Sequence, residues 1–387
     1  MSGKRVGILG GGQLGAMLAE SLQALGARVR VFDPDPAAPA GARVADRVVG
    51  DWRDRAALTR FADGCDVLTC DTEHVPLASL RDQPWATRLR PSLRAIAVAQ
   101  HRVREKAFLA CAGLPHASWR AARGAEEVRW AAEAFGFPLI VKRAEGGYDG
   151  RGQAFVRDAA ALASFLEAQP GADALFVLEE PVRLLAELSC VVARSASGAA
   201  VTFPLLENAH RDHILDATVL PARLAPAVAG RARAMAIEAA RALDVHGLLT
   251  VEFFLGLRRG GGAPELLVNE LAPRPHNSGH VTRRACTLSQ FDALARLLLD
   301  LPVPAPDLLG GAYAMANLLG DLWSDNGGRA PDFSAAAALP EVLELHVYGK
   351  QGGGRSRKMG HLIARGQTPV AALAAARHAR ELIREGC

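Results

Sequence analysis

The first hundred residues alternate short apolar runs with longer stretches of helical period. Arg5–Leu9 (RVGIL) reads as a buried strand, Ala16–Leu25 as an apolar-periodic helix, and Arg28–Phe32 (RVRVF) as a second strand stopped by the turn Asp33-Pro34-Asp35-Pro36. Val67–Cys70 reads as a further short strand. Strands alternating with helices predict a parallel α/β sheet joined by right-handed crossovers. This pattern fades near Pro91-Ser92, and residues 1–100 are assigned to a Rossmann-like first domain.

The character changes after that point. His101–Ala112 is predicted as a helix, Pro138–Arg143 as a strand, Leu175–Glu180 and Leu188–Arg194 as strands, and Arg231–Leu243 as a helix. Leu248–Leu255 and Glu265–Leu271 are predicted to form a strand pair, joined by a glycine-rich turn at Arg259–Ala263. These elements place a second, α+β domain at 101–300. A small third domain at 301–387 is predicted to hold a strand at Glu344–Tyr348, a basic glycine-rich loop and a helix over Pro369–Glu385. No internal repeat is apparent.

Composition narrows the function classes. A chain of 387 residues is too long for one simple core. Its formal charge of +4, from 45 basic and 41 acidic residues, is too balanced to imply nucleic-acid binding. There is no signal-peptide pattern and no uncharged apolar run of membrane-spanning length. The six cysteines are scattered without a CxxC pair, which fits a reducing cytoplasm and argues against a zinc site or a disulfide framework. Arginine supplies nearly all the basic charge. The five lysines (Lys4, Lys106, Lys142, Lys350 and Lys358) therefore mark places where a compact ammonium is needed.

Four motifs carry chemistry. Gly10-x-Gly12-x-x-Gly15 lies between a strand and a helix, with Asp33 18 residues beyond Gly15. This is the dinucleotide fingerprint, although any ligand phosphate or ribose can use such a loop. Lys142 ends a strand before a loop with four glycines in seven residues (146–152), rich in free N–H groups able to cover a polyphosphate. Glu252 and Asn269-Glu270 sit on the predicted strand pair, each in an otherwise apolar run, where a buried carboxylate calls for a metal or a partner. Two hard carboxylates and an amide oxygen suit magnesium. The donor-rich loop at 272–280 follows directly. Its His276 and His280 lie in a loop without a supporting cysteine, which is not a zinc pattern. Late in the chain, Tyr348-Gly349-Lys350 and residues 352–361 form a basic, glycine-rich turn suited to a monophosphate.

Together these residues resemble the ATP-grasp ligases. Lys106, Lys142, the loop GGYDGRGQ at 146–153, Glu179-Glu180-Pro181-Val182, Glu187, Glu252 and Asn269-Glu270 carry that resemblance. Glu73-His74-Val75-Pro76, Glu207–Arg211, APRPHNSGH at 272–280 and the late YGK…RKMGH segment are similar to one family within them, the 5-(carboxyamino)imidazole ribonucleotide synthases. The resemblance covers nearly the whole chain and makes the first domain a pre-ATP-grasp domain. It implies carboxylation of 5-aminoimidazole ribonucleotide with ATP and bicarbonate through carboxyphosphate, with Mg2+, in a cytoplasmic homodimer that needs neither nucleic acid nor membrane.

The resemblance also implies roles. Lys106 and Lys142 hold ATP phosphates. Gly147, Tyr148, Asp149, Gly150, Arg151, Gly152 and Gln153 cover them. Glu179, Glu180, Pro181, Val182, Glu187 and His210 border the nucleotide. Asn269 and Glu270 also meet ATP, and Glu252 and Glu270 bind the metal. Tyr148, Arg151, Arg274 and His276 are the catalytic candidates, with Arg274 on the carboxyphosphate charge and His276 as the candidate base. Gly11, Gly12, Gln13, Leu14, Glu73, Asn277, Ser278, Lys350, Arg357 and Lys358 are the candidates for holding the ribonucleotide.

The chain departs from the family pattern at Asp71, where glutamate is usual, at Val281, where an aromatic residue is usual, and at Arg355-Ser356. Three other readings stay open from sequence. A nicotinamide-linked dehydrogenase would explain the first 35 residues. A sister ATP-grasp enzyme could use formate or another amine. A non-catalytic nucleotide-sensing module would bind ATP without releasing phosphate.

Overall fold

Val6, Ile8, Val31 and Leu68 are almost wholly buried, because a parallel sheet covered on both faces requires apolar strands. They belong to the first of three sheets in the computed structural model, which describes residues 3–146, 152–169, 171, 173–352 and 354–386. Its strands run parallel in the order Asp46–Val49, Arg28–Asp33, Arg5–Leu9, Val67–Cys70. The following helix spans Gln13–Ala24, three residues ahead of the expected start. The reason lies on the neighbouring strand end. Asp71 Oδ2 accepts N–H groups from Gly12 at 2.7 Å and Gly15 at 3.3 Å, so a distant carboxylate caps the helix. Gly10 makes this approach possible. Its φ is +107°, and a Cβ there would lie 1.7 Å from Asp71 Oδ1.

The second sheet is antiparallel and has nine strands. Its main path runs Glu265–Ala272, Gly247–Leu257, Arg183–Arg194, Leu206–Arg211, Ile214–Leu220, Ala312–Leu319, Lys358–Gly366, Val342–Val347, with Ala200–Thr202 alongside Arg183–Arg194. The strands beyond residue 301 thus continue the sheet of the middle region through the pairing of Ala312–Leu319 with Ile214–Leu220. The helix Pro369–Glu385, placed as expected, packs on this extension. Arg380 ties it to the buried Asp216 at 2.5 Å.

The sequence pattern missed the hairpin Leu206–Arg211/Ile214–Leu220. Its turn is Asp212-His213, and both residues have positive φ (52° and 63°). That is the backbone of a two-residue hairpin turn, normally marked by Asn-Gly or Asp-Gly.

The third sheet has four antiparallel strands in the order Trp119–Arg123, Leu175–Glu179, Leu139–Arg143, Gln153–Val156. Helices Gly124–Phe135 and Ala159–Glu167 cover it around Val128, Leu162 and Phe176. This small layer presents Lys142 and Glu179 towards the hairpin that carries Glu252 and Glu270. Among the described residues no helix is long and apolar enough to cross a membrane.

The cap on the first helix makes a direct prediction. Gly10→Ala meets both an unfavourable φ and Asp71, and should lower stability by about 1–3 kcal/mol in urea unfolding. An unchanged midpoint would show that Asp71 does not fix this turn.

Candidate active site

Strand alternation and register build the floor of the site. Glu252 lies directly opposite Glu270 on one side and Ser189 on the other. Residues opposite one another face the same way, so Glu270, Glu252 and Ser189 form a row across three strands. Two residues along, Glu187 is opposite Asn208, which is opposite Thr218. The register between Glu252 and Phe253 shifts so that Asn269 has no partner across the ladder, the mark of a β-bulge beside the acidic pair. The convergence expected of the predicted strand pair is therefore present in the fold.

Two buried lysines approach from above. Lys142 Nζ lies 2.8 Å from Glu179 Oε2, and Lys106 Nζ lies 3.5 Å from Glu179 Oε1 and 3.3 Å from the Asn269 carbonyl oxygen. All three charged side chains are almost fully buried. Burial alone would raise the Glu179 pKa, but the lysine charges outweigh it and hold it at about 2. Burial lowers the Lys142 pKa despite Glu179, because Lys106 and Arg102 repel a further charge. Glu179, expected to border the nucleotide, is here the counter-ion of Lys106 and Lys142. Glu180 accepts the Arg259 backbone N–H at 2.5 Å, and Pro181 and Val182 connect to the next strand. Glu187 and His210 pair at 2.9 Å. Burial would lower the His210 pKa, but hydrogen bonding and charge from Glu187 raise it.

At the acidic pair, Arg102 reaches Glu270 at 3.5 Å and His276 Nε2 lies 2.9 Å from Glu252 Oε1. Burial opposes ionisation of Glu252, but His276, His210 and Lys358 together hold it at about 2. The influence of Lys358 brings the late basic loop to the same site. Lys350 donates to the Lys358 carbonyl oxygen at 2.9 Å, and Arg357 donates to those of Gln351 and Gly352. Arg274 grips Glu73 with two hydrogen bonds, one of them 2.9 Å long. Burial works against both charges, yet the pairing raises the Arg274 pKa and lowers that of Glu73 to about 2.

Some expected residues are placed differently. The N–H groups of the first glycine loop are already used, Gly11 by Asp33 at 2.6 Å and Gly12 and Gly15 by Asp71. A pyrophosphate would have to displace two carboxylates of the protein itself, which removes the nicotinamide reading. Burial, together with the charge of Asp33, raises Asp71 to about 7. Gln13 and Leu14 begin the helix that follows. Ser278 is wholly buried with its hydroxyl against Ser189 and His276, so it is not placed for the direct substrate contact expected of it. Asn277 is buried beside it. His280 is fully buried and stacked on Phe291, away from any metal role. Gly152 and Gln153 open the strand Gln153–Val156. Gly147, Tyr148, Asp149, Gly150 and Arg151 lie outside the described residues, as does Gly353 of the late loop.

Sequence reasoning missed Glu105. Its Oε1 accepts the Leu271 N–H at 2.6 Å, one residue from Glu270. Burial, and then the charge of Glu270, raise its pKa to about 8 against the relief offered by Lys106 and Arg102. A carboxyl in a helix that also carries Lys106 reads in sequence as one half of a surface charge pair. Only the docking of this helix on the Glu265–Ala272 strand reveals it.

Known proteins are similar to this chain over most of its length. Residues 107–291 match the ATP-grasp domain, residues 3–100 the ribonucleotide synthetase preATP-grasp domain, and residues 314–375 the phosphoribosylaminoimidazole carboxylase C-terminal domain. The N5-carboxyaminoimidazole ribonucleotide synthase of Bacillus subtilis is 35% identical over 367 residues, covering 93% of this chain and 91% of that protein. The crystal structure of N5-carboxyaminoimidazole synthetase from Staphylococcus aureus complexed with ADP has a TM-score of 0.87 at 31% identity, covering 98% of this chain and 97% of the other. The Aspergillus clavatus synthase in complex with ADP and 5-aminoimidazole ribonucleotide has a TM-score of 0.85 at 31% identity and 99% coverage of both chains.

Glu105 gives a pH test. Its folded-state pKa lies above the ordinary 4.5, so the unfolded chain releases this proton first. Stability relative to Glu105→Gln, measured by urea unfolding with chelator, should fall as pH rises from about 4.5 to about 8 and level off above. A difference independent of pH would contradict a proton held there.

Proposed function

The chain belongs to the N5-carboxyaminoimidazole ribonucleotide synthases of the ATP-grasp ligases, and we propose that the charged face of its central sheet performs the family reaction with bicarbonate as the carboxyl donor. It is an ATP-dependent carbon–nitrogen ligase that carboxylates 5-aminoimidazole ribonucleotide in purine biosynthesis. The observation that carries the residue assignment is the cross-strand pair Glu252 and Glu270, with Lys106 at the neighbouring Asn269 carbonyl, His276 against Glu252 and the charge of Lys358 acting on Glu252.

Magnesium fits the acidic pair. Glu252 and Glu270 offer two hard carboxylates on one face, with Asn269 at the bulge beside them. Among the described residues no group of three or more acidic, histidine or cysteine side chains is assembled for a metal. The remaining coordination positions then fall to water and nucleotide phosphates, as magnesium prefers. Bound there, magnesium neutralises phosphate charge.

The chain's own groups do the rest. Lys106 and Lys142 exchange part of their contact with Glu179 for ATP phosphate oxygens. Glu187 and His210 border the nucleotide, and Gly147 to Gln153 cover its phosphates. A bicarbonate oxygen forms a bond to the γ-phosphorus as the bond to ADP breaks, giving carboxyphosphate. Its carbon–oxygen bond then breaks, phosphate leaves, and the exocyclic amine attacks the freed carbon dioxide and loses a proton. Arg274 offsets the negative charge of the carboxyphosphate. Exclusion of water protects this labile intermediate. Glu73, Lys350, Arg357 and Lys358 hold the ribonucleotide, with Gly11, Gly12, Gln13, Leu14 and Asn277 lining it. The homodimer and the cytoplasmic location implied by the family resemblance belong to the same proposal.

Phosphate release from ATP with magnesium and bicarbonate tests this reading. It should depend strongly on 5-aminoimidazole ribonucleotide and fall roughly hundredfold or more in Glu270→Ala. Release indifferent to the ribonucleotide would point to another acceptor. Full activity in Glu270→Ala would overturn the metal assignment.

A further inference from the structure

We propose that a buried chain of side chains, Thr218–Asn208–Ser189–Ser278, positions His276 and dictates which of its ring nitrogens carries the proton, so that His276 acts as an Nε2–H donor and not as a base. The proposal rests on the reading that His276 stands in the reacting site.

The chain of contacts is continuous. Thr218 Oγ1 donates to Asn208 Oδ1 at 3.1 Å, and Asn208 Nδ2 donates to Ser189 Oγ at 3.0 Å. Ser189 and Ser278 hydroxyls meet at 2.7 Å, and Ser278 Oγ meets His276 Nδ1 at 2.9 Å. Ser189, Thr218 and Ser278 are wholly buried, and Asn208 is nearly so.

The direction of the chain is set at its His276 end, and the Asn208 end is compatible with it. With the Asn208 amide donating to it, the Ser189 hydroxyl is free to donate to Ser278, which then donates to Nδ1. A second donor confirms the acceptor role of Nδ1: the Ser278 backbone N–H also points at it, at 3.4 Å. A backbone N–H cannot accept, so Nδ1 presents its lone pair. In the neutral ring the proton therefore sits on Nε2, which faces Glu252 Oε1 at 2.9 Å.

This arrangement changes what His276 can do. Its one lone pair is buried and doubly occupied, so the ring has no basic site to offer a substrate. It offers instead a donor aimed at the acidic pair, where negatively charged oxygens of bicarbonate or carboxyphosphate would gather. The four residues of the chain are positioning residues, since none of them presents a polar atom to the site directly.

The tautomer can be measured on the full-length chain by 15N NMR at neutral pH, with His276→Gln used to assign the signals. The expected result is a pyridine-type Nδ1 and a pyrrole-type Nε2 for His276. The reverse tautomer, or two pyrrole-type nitrogens, would overturn the proposal. Asn208→Asp removes the N–H that orients Ser189 and should move the signature towards protonated Nδ1. An unchanged signature in that variant, once folded, would also count against the chain. In turnover, Ser278→Ala and Ser189→Ala should each lower kcat roughly tenfold with KM for ATP little changed. Unaltered kcat in both would leave the chain a structural feature only. The NMR result does not depend on turnover, whereas ribonucleotide-dependent phosphate release by the wild-type enzyme tests the underlying functional reading separately.

Discussion

An ionised side chain taken out of water must meet an opposite charge or an oriented dipole, and the site of this protein is shaped by that constraint. Glu179 lies between Lys106 and Lys142, Glu73 grips Arg274, Glu252 meets His276, and Asp71 draws in the N–H groups of the first helix. Each pairing holds its side chains in one place. At Lys106, Lys142 and Arg274 a phosphate or carboxylate oxygen can replace Glu179 or Glu73 without leaving a cation bare. Glu105 meets the same constraint differently. Burial, and then the charge of Glu270, disfavour its ionisation, and it keeps its proton to about pH 8.

The three sheets divide the work accordingly. The central antiparallel sheet supplies a rigid face on which register alone sets Glu270, Glu252 and Ser189 side by side. The small four-stranded sheet carries Lys142 and Glu179, and the parallel sheet brings Glu73 and the first glycine loop. Because the last strands extend the central sheet, Lys358 is held by the same ladder that holds Glu252. A charge expected on a separate domain thereby acts on the acidic pair.

Much of this was legible in the sequence where local pattern and chemistry agree. The parallel α/β start, the strand pair bearing Glu252 and Glu270, and the final helix follow from apolar periodicity and turn residues. Of the rare lysines, Lys106 and Lys142 meet at Glu179, whereas Lys4 pairs with Asp300. What escaped has one physical cause, dependence on contacts distant in sequence. The Gly10–Gly15 loop has the form of a dinucleotide site, and only the neighbouring strand end shows that Asp71 occupies it. The Asp212-His213 turn has a backbone that its residues do not advertise. Ser189, Asn208 and Thr218 are ordinary strand residues until register lines them up behind His276.

The central claim is that this site phosphorylates bicarbonate before the amine is carboxylated. Its most direct test is turnover with 18O-labelled bicarbonate and unlabelled ATP, followed by mass analysis of the phosphate released. Attack of a bicarbonate oxygen on the γ-phosphorus leaves that oxygen in the product, so the account predicts one 18O atom in each phosphate formed together with N5-carboxyaminoimidazole ribonucleotide. Phosphate carrying only oxygen from ATP and water, at full carboxylation, would contradict it.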